Sequence, residues 1–129
     1  MKRFIFVMLA VTIFLYGDTI RWYGSFDGAL SSSLKSQKPI FVVLVERGCD
    51  ECRELFTEVL MQKHIVEIVN TKTVPVIVTK ENEDYPIELL YTLDFPAIFL
   101  LSPQEVLLKP PLTGKVDAAL LEKELFDEL

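Results

Sequence analysis

Short continuous apolar runs alternate along this chain with segments whose apolar residues fall at helical spacing. Three such runs are Ile40–Val45 (IFVVLV), Val74–Thr79 (VPVIVT) and Ala97–Leu101 (AIFLL), the first two rich in β-branched residues. Runs of that length, bounded by polar or turn-forming residues, predict strands buried on both faces. Pro75 is compatible with a strand only near its start, which is where it stands. Five segments repeat apolar residues three and four positions apart, the period of a helix packed on one side. Phe26–Ser36 carries Phe26, Ala29, Leu30, Ser33 and Leu34 on one stripe, with Ser25 as its cap and Pro39 beyond its end. Its three consecutive serines, Ser31, Ser32 and Ser33, read as a solvated face. Leu55, Phe56, Val59 and Leu60 form the stripe of a second helix, and Ile65, Val66 and Val69 that of a third over 63–70. A short helix is predicted over 86–92, opened by Pro86, with Ile87, Leu90 and Tyr91 inward. The last spans 117–126, with Leu120, Leu121, Leu125 and Phe126 buried.

Weaker signals complete the pattern. Imperfect alternation over 18–23 suggests a first edge strand, in which Trp22 is a packing residue. Ser102-Pro103-Gln104-Glu105 places proline second in a turn, so 106–108 is expected to return as an antiparallel partner of Ala97–Leu101 until Pro110 and Pro111 stop it. Gly114 then gives the chain freedom before the last helix. Helices and strands in this order predict an α/β domain with a mixed sheet of four to five strands flanked by helices.

The N-terminus changes the picture of where the domain works. Lys2 and Arg3 precede an uninterrupted apolar stretch, residues 4–16, shorter than the ~20 residues of a membrane-spanning helix. Residues 1–17 therefore read as a signal peptide and 18–129 as one domain in a periplasmic or secreted location. An uncleaved leader would anchor it to the membrane. The chain has 13 basic and 19 acidic residues, and without Lys2 and Arg3 the balance is 11 to 19, a net charge of −8. Such a surface repels phosphate backbones, which disfavours nucleic acid as a partner. The acidity favours solubility, and a monomer is expected.

Both cysteines, Cys49 and Cys52, fall between the strand Ile40–Val45 and the second helix, so none remains for a bridge elsewhere. Strand, turn, Cys-x-x-Cys, helix puts the first thiol at a helix N-terminus, where unpaired N–H groups and the helix dipole favour the thiolate. The second thiol lies within reach to resolve an attack on a disulfide. Cys49 is the expected nucleophile and Cys52 the resolving thiol. Zinc uses the same spacing but needs a second ligand pair, which the chain lacks. His64, the one histidine, leaves no basis for hydrolase triads. Asp50 and Glu51 oppose the Cys49 thiolate, while Arg47 and Arg53 support it. With no histidine between the cysteines, the balance points to a reductant or disulfide-handling protein rather than a strong oxidant. Asp50 and Glu51 also read as ordinary first-turn acids.

These residues resemble the thioredoxin-like superfamily, in particular its secreted bacterial proteins with a Cys-x-x-Cys motif. Lys38-Pro39 is similar to the family's approach to its central strand. Phe95-Pro96-Ala97-Ile98-Phe99-Leu100 is similar to its proline-then-strand element, and Gly114 with the following helix to its C-terminal end. Gly48 departs from it, since an aromatic residue commonly precedes the first cysteine, as do Asp94 and Phe95 before the proline. The resemblance implies a cis Phe95–Pro96 bond beside the cysteines, with Phe95 and Pro96 contacting substrate, although Phe95 reads equally as core. It implies a thiol–disulfide oxidoreductase acting on cysteine-containing proteins, with Cys49–Cys52 as a redox-active disulfide, no other cofactor, and a transmembrane electron donor. The alternative is a non-catalytic binding module, holding copper(I) on the two thiols with Met61 or His64 nearby, or acting as a chaperone.

Overall fold

A computed structural model of the protein describes residues 19–129. The expected leader, residues 1–17, lies outside the described residues. Among the described residues no helix is long and apolar enough to cross a membrane. The elements are α1 (Phe26–Ser36), β1 (Ile40–Val45), α2 (Asp50–Glu54, running on as a π-helical turn Leu55–Val59), α3 (Lys63–Lys72), β2 (Val74–Thr79), β3 (Ala97–Leu101), β4 (Leu112–Thr113) and α4 (Ala118–Leu121, running on as a π-helical turn Glu122–Phe126). A 3₁₀ turn, Lys80–Asn82, follows β2.

The four strands lie in the order β2-β1-β3-β4. β1 is parallel to β2 and antiparallel to β3, and β3 is antiparallel to β4, so the sheet is mixed as expected. Because side chains alternate across a sheet, β1 feeds two cores. Phe41 and Val43 join Ile98, Leu100 and the buried faces of α2, α3 and α4. Ile40, Val42 and Leu44 join Phe99, Leu101, the β2 valines and α1 through Phe26 and Ala29. Burial of this kind stabilises by about 25 cal/mol per Å² of apolar surface removed from water, which is why the central strands lack polar residues. Trp22 packs as expected, with its ring centroid 6.3 Å from that of Phe41 and 5.8 Å from that of Phe56.

Several expectations are corrected. Residues 19–23 form no strand: Tyr23 alone bridges to Val76, through its N–H to the Pro75 carbonyl. Residues 86–92 make one turn rather than a helix, closed by the Leu90 N–H on the Pro86 carbonyl. The Thr92 hydroxyl donates to the Asp94 carbonyl and accepts its N–H, so the chain leaves helical geometry there. Leu90 reaches the core, whereas Ile87 and Tyr91 are exposed. Residues 106–108 contribute one bridge, Leu101 to Leu107, and the fourth strand forms after the two prolines, where Leu112 and Thr113 have the N–H groups a ladder needs. In α4 Leu120 is exposed rather than buried, and in α1 Leu34 is exposed while Ser33 is fully buried, donating its hydroxyl to the Lys38 carbonyl. A hydroxyl can face a core when its hydrogen bond is made locally.

Candidate active site

The site begins where β1 ends. Gly48 has φ +69° and closes the turn between β1 and α2. A methyl group there would meet nothing within 4 Å, so the glycine is needed for its backbone angle and not for space. Cys49 is the N-cap of α2, with extended backbone angles, and its Sγ accepts the Cys52 N–H at 3.1 Å. The two cysteines are joined in a disulfide across one helical turn, with Cα atoms 5.2 Å apart. Cys49 is half-buried and Cys52 is buried, at 5% exposure. One sulfur is therefore offered to the surface while the other is backed by the core.

The Phe95–Pro96 bond is cis and Pro96 is buried. Ala97 pairs with Leu44, so Pro96 stands level with Val45, at the edge of the sheet from which the Cys49 loop departs. The Pro96 carbonyl accepts the Gly114 N–H at 2.9 Å. A methyl on Gly114 would lie 3.9 Å from the Glu51 carboxylate, which puts this third loop against α2. Cys49, Glu51, Pro96 and Gly114 thus converge on one end of the sheet. Phe95 has two environments. It is half-buried against the core beneath α1, and it walls a pocket of about 130 Å³ with Leu44, Tyr85 and Tyr91. The Lys80 ammonium stands 5.4 Å from its ring centroid.

The charged neighbours of Cys49 lie at the surface, with Asp50 and Glu51 in the first turn of α2 as the sequence suggests. The Asp50 carboxylate is 88% exposed and pairs with Arg53 at 3.9 Å, so water and its partner share its field. Glu51 is exposed as well. The Arg47 guanidinium makes no ion pair among the described residues, and Arg47 acts through its backbone, donating its N–H to the Glu81 carboxylate at 3.0 Å. That hydrogen bond holds Glu81 below the usual carboxylate range. Glu46 and Lys80 pair at 3.7 Å, a second tie between the Cys49 loop and the turn after β2. Sequence reasoning missed Lys80 and Glu81 as supports, because only strand pairing brings that turn beside residues 46–47. Sequence reasoning missed the pocket as well, because it placed Ile87 and Tyr91 inward on a helix. Tyr85 in its wall has its pKa raised by burial and then by Glu83, Asp84 and Glu81.

His64 lies away from this chemistry and pairs with Glu122 at 3.1 Å, joining α3 to α4. No three His, Cys, Asp or Glu side chains among the described residues are grouped to hold a metal ion.

Solved structures share this fold. A thioredoxin from Thermus thermophilus superposes with a TM-score of 0.72 at 20% identity, covering 84% of this chain and 86% of its own. A putative disulphide-isomerase from Bacteroides thetaiotaomicron gives 0.71 at 22% identity, covering 88% and 97%. A DsbH oxidoreductase gives 0.69 at 18% identity, covering 81% of each. At these identities the likeness is one of fold. No curated protein sequence matches the chain significantly. Residues 21–103, which hold β1, the two cysteines, Pro96 and β3, match the family model described as thioredoxin-like, and the chain belongs to that family.

Proposed function

We propose that this protein is an extracytoplasmic thiol–disulfide oxidoreductase that works as a reductant or disulfide-handling protein on cysteine-containing polypeptides. The observation that carries the reading is the place of Cys49: half-buried at the helix cap, its sulfur accepting the Cys52 N–H, with Cys52 buried behind it. In the reduced protein the same N–H, together with the helix dipole, favours a Cys49 thiolate. That thiolate attacks a substrate disulfide and forms a mixed disulfide, as one substrate sulfur leaves as thiolate. Cys52 then attacks Cys49 Sγ, closing the protein disulfide and releasing the second substrate sulfur. Two electrons pass to the substrate, and a membrane-embedded donor restores the dithiol.

The test is trapping. Cys52→Ser, expressed with its leader in a bacterial host, should accumulate mixed disulfides with envelope proteins, visible as bands that dithiothreitol removes. Cys49→Ser should accumulate none. Equal trapping by both variants, or by neither, would sink the assignment. Alkylation of the reduced wild-type protein should modify Cys49 first.

A further inference from the structure

The stretch between β2 and β3 carries a concentration of exposed apolar side chains: Ile87 at 43%, Tyr91 at 68% and Leu93 at 80% exposure. Scattered exposed apolar residues are ordinary, but a cluster beside a reactive group marks an interaction surface. Ile87 and Tyr91 line the pocket of about 130 Å³ that Leu44 and Phe95 also line, and Leu93 stands exposed in the same stretch. Leu44 and Phe95 both lead toward the disulfide. Leu44 is the penultimate residue of β1, whose following turn holds Cys49, and Phe95 is bonded to the cis proline. The pocket therefore lies toward the end of β1 that leads to the redox site, next to the cis proline in sequence and on the face of the sheet opposite α2.

Its electrostatics select among occupants. The Lys80 cation is engaged by Glu46 and by the Phe95 ring, whereas Glu83 and Asp84 beside the pocket are exposed and make no ion pair among the described residues. The raised pKa of Tyr85 reports the same negative surroundings, after burial. An anionic ligand would be repelled and a basic segment attracted.

We infer that this pocket receives an apolar side chain, aromatic or long aliphatic, that lies close to the reactive cysteine of a substrate polypeptide carrying basic residues. The inference rests on the oxidoreductase reading and adds a substrate class to it. A side chain seated there while Cys49 attacks lowers the barrier only for segments that can present both groups at once.

Synthetic peptides, each with one cysteine joined in a disulfide to thionitrobenzoate, test this. The Cys49 thiolate of the reduced protein attacks the peptide sulfur, thionitrobenzoate leaves as a coloured thiolate, and Cys52 then releases the peptide thiol. Peptides with Phe or Leu beside the cysteine and Lys flanking should react about tenfold faster than the same peptides with Ser, the scale of one apolar group in a fitted pocket. Replacing the Lys by Asp should slow them. In Tyr91→Ala and in Ile87→Ser the Phe-to-Ser rate ratio should fall toward one. A ratio within one variant is insensitive to uniform damage to the chemistry. Equal rates for all peptides in the wild type, failure of every peptide while the symmetric thionitrobenzoate disulfide still reacts, or a ratio unchanged in both variants would overturn the pocket. No reaction even with that symmetric disulfide would instead remove the oxidoreductase reading beneath it.

Discussion

At the scale of single residues, the site is held by atoms whose side chains do no redox chemistry. Glu81 is an example: its carboxylate accepts the Arg47 N–H, one residue before Gly48. Its folded pKa is depressed, so its contribution to stability is present above the unfolded carboxylate value and is lost as pH falls through the folded one. Glu81→Gln should therefore lower the denaturation midpoint near neutral pH, and the difference from wild type should shrink as the pH falls below the ordinary carboxylate range. A difference independent of pH would mean that the hydrogen bond, rather than the charge, supplies the effect. The residue-level reading of Cys49 and Cys52 came from their spacing together with their place between a strand and a helix, since a helix places positions three apart on one side. Glu81 had no such signal, because it lies 34 positions from Arg47 and meets it only through the sheet.

Among the elements, α2 and α4 each begin at a side-chain cap and end in a π-helical turn. The α4 cap is Asp117, whose carboxylate accepts the Leu120 N–H at 2.8 Å. Asp117→Ala should cost about 1 kcal/mol, measured by urea denaturation, with no change in the slope of the transition. A loss within error would mean that water replaces the cap without cost. The helical period predicted the existence of α1, α2, α3 and α4, and strand composition predicted β1, β2 and β3, because these elements bury enough of their own stripe to show it. The turn at 86–90 and strand β4 failed that test. The helical spacing at 86–92 did not make a helix and the two residues of β4 are too few to show a period, so tertiary partners decide both: Leu90 in the core for the turn, Ala97 and Ile98 for β4.

For the whole molecule the open quantity is the direction of electron flow. A thiolate supported by a helix cap but by no neighbouring histidine should give a reduction potential nearer the roughly −270 mV of thioredoxin than the ~−120 mV of strong periplasmic oxidants. Equilibration with dithiothreitol or glutathione at defined ratios measures it, and a value above about −150 mV would turn the reading into disulfide formation. Neutralising Asp50 and Glu51 together should raise the potential, since it removes opposition to the thiolate. The rise should stay below about 30 mV, a tenfold change in equilibrium, because both carboxylates are solvated and Asp50 is paired with Arg53.

The sequence by itself determined the main helices and strands and the place of the cysteine pair between them. Apolar periodicity is local, and so is the placement of Cys49 at the start of a helix that follows a buried strand. Only the tertiary structure decided what surrounds that chemistry. It set Pro96 level with Val45, Gly114 against α2, and Glu81 beside Arg47, all through strand pairing between residues far apart in the chain. It also decided which apolar residues stay outside. Leu90 and Tyr91 are neighbours in sequence with equal hydrophobic claim, and the space beneath α1 and beside the sheet takes one and leaves the other at the mouth of a pocket. That choice follows from packing a finite core, which no local pattern encodes.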